Sequence, residues 1–182
     1  LPRELSNGIC SLNERVDRLA LSCFMEFDKN ANLVDYKICE SIINSKKRFT
    51  YTEVQRVFDG ANDQPQELID ELLLMRGLAS QLEHKRHDRG AIEFNIPEVQ
   101  VYLNDLGDVL NLKKREHNES HKLIESFMIA ANETIATHFL SKNIPFVYRI
   151  HEKPDSAKIA NLVGMVNNFG VKHNINAEDA EP

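Results

Sequence analysis

No stretch of this sequence approaches the run of about 18 apolar residues that a membrane helix needs, and no secretory leader is visible. A bilayer-spanning segment is therefore not expected. Cysteine is scarce. Cys10, Cys23 and Cys39 are odd in number and form no CxxC or Cys/His ligand spacing. Reduced thiols in a cytoplasmic protein are expected, not a disulfide frame or a zinc site. Basic residues are outnumbered, 22 Lys and Arg against 28 Asp and Glu, for a net charge of −6. That balance argues against a protein that coats nucleic acid through its total charge. It leaves room for a channel lined locally with cations.

Motifs of self-sufficient catalysis are missing too. There is no P-loop, no GxGxxG and no GxSxG. A two-metal hydrolytic site needs clustered carboxylates, and none is visible. The densest acidic strings are NDLGD, with Asp105 and Asp108, and AEDAE near the terminus; they read as a hairpin turn and a tail.

The 182 residues are 42% hydrophobic and 27% charged, enough for one globular domain with a sizeable core. Leu1–Leu12 reads as a loop from inside a domain, not as a start. Arg18–Phe27 and Leu33–Ile43 alternate as strands around DKNAN, which supplies turn residues, and predict an antiparallel hairpin. Thr50 or Thr52 can cap a helix from Tyr51 towards Phe58, and Glu53 is placed for a capping box if Thr50 is the cap. Leu68, Ile69, Leu72, Met75, Ala79 and Leu82 recur at three- and four-residue steps, predicting a helix from Gln64–Pro65 to about His87. Short strands follow at AIEF, VQVYL and VLNLKKRE. A long helix spans Asn118–Leu140, with an apolar stripe of Ile124, Phe127, Met128, Ala131 and Ile135. FVYRIH reads as a strand, and Ser156–Phe169 as a last helix closed by Gly170. No interior linker is visible, and residues 174–182 form an acidic tail expected to be disordered. The fold class is α+β, with antiparallel strands and packed amphipathic helices.

On the long helix, His121, Glu125 and Asn132 fall within about 40° of one another, at the edge of the apolar stripe. An imidazole, a carboxylate and an amide so aligned can hold a sugar or a phosphate-bearing ligand; equally, they can satisfy neighbouring groups of the protein. Lys85, Arg86 and Arg89 crowd a helix end, where the helix dipole alone would explain them. A phosphate contact is the sharper alternative. Phe94 follows at once, as a core residue or as a platform for a base.

Four segments in order, LPRELSNGICSLNERVDRLALS, RFTYTEVQ, HDRGAIEF and HKLIESFMIAAN, with YRIHEKP beyond them, resemble the catalytic RNB domain of the ribonuclease II/R family, nearer its ribonuclease R side. They cover Leu1 to about Pro154. A chance match by an unrelated α+β protein would need several ordered coincidences.

The resemblance implies a processive, metal-dependent 3′→5′ exoribonuclease that threads single-stranded RNA into a channel and releases 5′-mononucleotides. By position, Phe94 matches an aromatic that clamps the terminal bases, and Glu125 a carboxylate near the 3′-terminal nucleotide. Arg89, Asn132 and His151 lie inside matched motifs and are assigned to RNA binding. The family's Mg2+-binding aspartates and second stacking aromatic lie upstream of Leu1, and an Arg-bearing SPIRRY-like motif lies downstream. Neither string occurs here, nor do the flanking cold-shock and S1-type domains. The expectation is a partial RNB-type domain over residues 1–173, without metal ligands or catalytic residues of its own. Alone it is expected to be inactive and, with strand partners missing, prone to self-association. The alternative is a catalytically dead RNA-binding or protein-interaction module of the same fold.

Overall fold

One carboxylate shapes the first hairpin. Asp28 Oδ1 accepts the backbone N–H groups of Asn30 and Asn32 at 2.9 and 2.8 Å, and Oδ2 accepts the Asn32 side-chain amide at 2.8 Å. The turn closes with Ala31 in the left-handed region at φ 54°, its methyl buried. It reverses the chain between β1 (Asp17–Phe27) and β2 (Leu33–Asn44), which pair antiparallel from Asp17↔Asn44 to Glu26↔Asp35 with an irregularity at Phe27. This computed structural model describes residues 2–92, 99–114, 117–150, 152 and 154–172.

Register decides what each hairpin face meets, because paired residues share a side. Met25 and Tyr36 pair near the turn and reach a long helix, α3 (Glu119–Ser141): Thr134 Oγ1 donates to Met25 Sδ at 3.4 Å, and Tyr36 Oη lies 3.0 Å from His138 Nδ1. Farther along the same face, Leu19, Leu21 and Ile42 are 86%, 82% and 70% exposed. On the other face, Arg18 Nε donates to Ser11 O at 2.9 Å, tying β1 to the segment that follows a wide helical turn over Glu4–Ile9. Cys23 pairs with Ile38 and Cys39 with Ser22, so the two thiols lie on opposite faces; both are free.

The helical core is built from α1 (Tyr51–Phe58), α2 (Gln66–Asp88) and α3. Of the two threonines the sequence offers, Thr50 caps α1: Glu53 N–H donates to Thr50 Oγ1 at 3.3 Å, and Thr50 N–H donates to Glu53 Oε2 at 2.7 Å. Val57, Phe58, Ile69, Leu72, Ala79 and Leu123 form the buried cluster. On α2 the buried residues, Ile69, Leu72 and Ala79, all stand at expected apolar positions. On α3 they do not: Ser120, Leu123, Ser126 and Thr134 are buried, while of the expected stripe Phe127 packs partly buried against the core and Ile124 and Met128 are about half exposed. Small side chains let the α2 and α3 backbones approach closely, so hydroxyls take the contact that the apolar stripe predicts for itself.

Between α2 and α3, β3 (Val99–Leu103) and β4 (Val109–Lys114) form a second, exposed antiparallel pair. Asn104 repeats the Asp28 device, its Oδ1 accepting the N–H groups of Leu106 and Asp108 at 2.9 and 2.8 Å. The expected AIEF strand is not formed at Ala91 and Ile92; Glu93 and Phe94 lie outside the described residues.

Chain contacts separate two compact units, Leu1–Lys142 and Asn143–Pro182, a subdivision not made from the sequence. The second carries α4 (Ser156–Asn168), capped by Asp155, whose Oδ1 accepts the Lys158 N–H at 3.0 Å. The strand expected at FVYRIH is corrected: Phe146–Ile150 join no strand. Among the described residues no strand pairs with the backbone there, and propensity without a neighbouring strand does not make one. His151 and the expected tail, residues 174–182, lie outside the described residues. No helix among the described residues is long and apolar enough to cross a membrane.

Candidate functional site

α2 and α3 run in the same direction, laced by oppositely charged pairs in register. Arg76 meets Glu119, Glu83 meets Lys122 at 2.8 Å, Arg86 meets Glu125 at 3.4 Å and Arg89 meets Glu133 at 3.2 Å. The cations expected at the end of α2 thus do more than face a helix dipole. Lys85 turns the other way and donates to Ala31 O at 3.1 Å and to Asn32 Oδ1, holding the β1–β2 turn against α2.

Glu125 is the centre of the densest polar group. Its second oxygen lies 3.6 Å from His117 Nε2. The His117 ring is 5.7 Å from that of His121, which in turn stacks on Tyr51 at 4.1 Å with 16° between the planes. His121 Nδ1 also lies 2.7 Å from Asn118 Oδ1, closing the cap of α3. Glu125, Arg86, Lys122 and Ile92 line a small cavity of about 80 Å³.

Of the five residues assigned to RNA binding from the sequence, Arg89 and Glu125 each pair across the α2–α3 seam. Asn132 lies exposed on α3, on the line of Glu125 and about 10 Å farther along the axis. Phe94 and His151 fall outside the described residues. Tyr51 and His117 were not singled out. Tyr51 stands 70 positions from its ring partner, so no local periodicity could have joined them.

The arrangement offers a carboxylate acceptor, guanidinium donors and a stacked aromatic–imidazole pair, which suits holding a ligand more than attacking one. Among the described residues no three His, Cys, Asp or Glu side chains gather as a metal site requires. They do not fit a resident magnesium ion, and no metal-borne step belongs to them.

The RNB domain family model matches residues 1–181. The chain belongs to the RNB domain family. It is 39% identical over 175 residues to Ribonuclease R 1 of Lactococcus lactis, covering 94% of this chain and 21% of that protein. It is 38% identical over 175 residues to Ribonuclease R of Aquifex aeolicus, covering 94% of this chain and 25% of that protein. Mycoplasma genitalium RNase R, solved in complex with ribose-methylated single-stranded RNA, matches with a TM-score of 0.92 at 26% identity, over 99% of this chain and 28% of that one. This RNB chain therefore spans about a quarter of the length of the ribonucleases R it matches. The mixed helices and antiparallel pairs expected of an RNB-type domain are present.

Proposed function

We propose that the chain is the RNA-holding portion of a ribonuclease R-like enzyme, one that removes 5′-mononucleotides processively from the 3′ end of single-stranded RNA in the cytoplasm. The observation that carries this reading is Glu125, bracketed by Arg86 and His117 beside the cavity that Ile92 lines, two residues before Phe94. In it, Phe94 stacks the last bases, and the Glu125 carboxylate accepts a hydroxyl of the terminal ribose. Arg89, Asn132 and His151 hold the strand behind it. Stacking keeps successive ends in register, so each cleavage leaves the strand placed for the next. Magnesium belongs to the whole enzyme, with ligands outside this chain.

The test uses 3′-labelled single-stranded RNA. The longer protein releases labelled mononucleotides when magnesium is present, and the isolated chain binds the RNA without cutting it. Mononucleotide release by the pure chain would overturn the division of labour. Failure of the longer protein to cut any RNA, with binding retained, would favour a catalytically dead module. The uncovered patch of Leu19, Leu21 and Ile42 supports self-association of the isolated chain.

A further inference from the structure

The carboxylates of the α2–α3 seam do not all meet their cations in the same way. Glu83 turns to one partner, Lys122, at 2.8 Å, and Glu133 gives both oxygens to one nitrogen of Arg89, at 3.2 and 3.5 Å. Glu125 is divided. Its Oε1 lies 3.4 Å from Arg86 Nη1 on α2, and its Oε2 lies 3.6 Å from His117 Nε2, just before α3.

A carboxylate beside a guanidinium gains most by giving it both oxygens, since the two-point fork is stronger than a single contact. Arg86 is the most sheltered of the seam arginines, its side chain 20% exposed, so water competes little for that fork. Glu133 turns wholly onto Arg89; Glu125 does not turn wholly onto Arg86. What draws the second oxygen away is His117. Its ring stands beside Asn118, the cap of α3, and lies 5.7 Å from the ring of His121. His121 is itself fixed, stacked on Tyr51 and 2.7 Å from Asn118 Oδ1. Among the other charged or titratable groups lining the cavity at Glu125, Glu83 and Lys122 pair with each other, and His87 is the third.

We propose that His117 is a positioning residue: its Nε2–H holds one Glu125 oxygen off Arg86, so that the carboxylate stays open to the cavity it lines and accepts from a ligand hydroxyl there. The role rests on the reading of Glu125 as an RNA-holding group and adds the residue that presents it.

Two measurements test it. In carboxyl-carbon NMR of the chain, the Glu125 signal should inflect between about pH 5 and 8, where an imidazole titrates, and the inflection should vanish in His117→Ala. His87 and His121 remain in that variant, so an inflection that survives in it, or none in the wild type, would overturn the proposal. In the longer protein, His117→Ala should lower kcat/KM on single-stranded RNA about three- to tenfold with the melting temperature unchanged. His117→Gln, whose side-chain N–H can also donate, should restore most of that loss. On a Glu125→Gln background His117→Ala should cost nothing further, because residues acting through one group are not additive. A loss that persists there would mean that His117 acts elsewhere. Glu125→Gln at the wild-type rate would sink the RNA-holding reading and this role with it. A loss in Glu125→Gln beside a wild-type rate in His117→Ala would sink this role alone.

Discussion

Tyr51 opens α1 and His121 stands in the first turn of α3, yet their rings stack at 4.1 Å, nearly parallel. The stack ties the capped ends of both helices together, one turn from Glu125. An aromatic pair of this kind contributes about 0.5–1.5 kcal/mol beyond burial. At roughly 2–4 °C per kcal/mol in a protein of this size, Tyr51→Ala should lower the thermal midpoint by a few degrees, and Tyr51→Phe should leave it in place. Circular dichroism melts decide this; equal losses in both variants would move the effect from the ring to the hydroxyl.

Glu125→Gln separates ligand holding from folding. Its pair with Arg86 is partly solvated, and such pairs are worth about 0–1 kcal/mol. The melting temperature should hardly move. In the longer protein the rate on single-stranded RNA should fall about tenfold or more, since an amide accepts a ribose hydroxyl more weakly than a carboxylate does. An unchanged rate removes Glu125 from the RNA.

Phe94→Ala, also in the longer protein, should lengthen or blur the end products on a sequencing gel, because stacking fixes how the last bases sit. Wild-type products at the wild-type rate would end its role as a clamp.

Acid tests the first turn. The side-chain amide of Asn32, followed by its backbone N–H, holds the Asp28 carboxyl below the usual carboxylate range. A folded-state value below the unfolded one contributes stability at pH above the unfolded pKa, near 3.9, and loses it as pH falls through the lowered value. Asp28 should therefore titrate below about 3.9 by carboxyl-carbon NMR. In Asp28→Ala that part of the acid sensitivity should vanish. A normal Asp28 midpoint would contradict the turn geometry.

Leu19 and Leu21 give a direct handle on self-association. The double substitution Leu19→Lys, Leu21→Lys should shift the isolated chain towards monomer in light scattering at high concentration, with the helical core unaffected. Identical mass distributions would clear this face.

The hairpin is legible in the sequence because its turn chemistry and its alternation agree. α1 is legible from its cap and α2 from its periodicity. α3 shows the limit of periodicity: its span is predictable, but its buried face is not, since the partner helix selects Ser120 and Ser126 over Ile124 and Met128. FVYRIH fails for a related reason, as strand formation needs a neighbour that local sequence does not name. At the site, Arg89 and Glu125 carry their own chemistry into the sequence. The contacts that give them meaning lie 39 and 44 positions away, at Arg86 and Glu133.

The α2–α3 charge lacing has a consequence for ionic strength. A strand whose phosphates are neutralised by free cations sheds its own condensed counterions, and loses affinity by about 0.7 log unit per decade of salt for each phosphate neutralised. Arg86 and Arg89 already face carboxylates. A phosphate reaching them meets little net positive charge beside Glu125 or Glu133, and keeps most of its counterions. Binding at this seam thus has a salt dependence shallower than its count of arginines suggests.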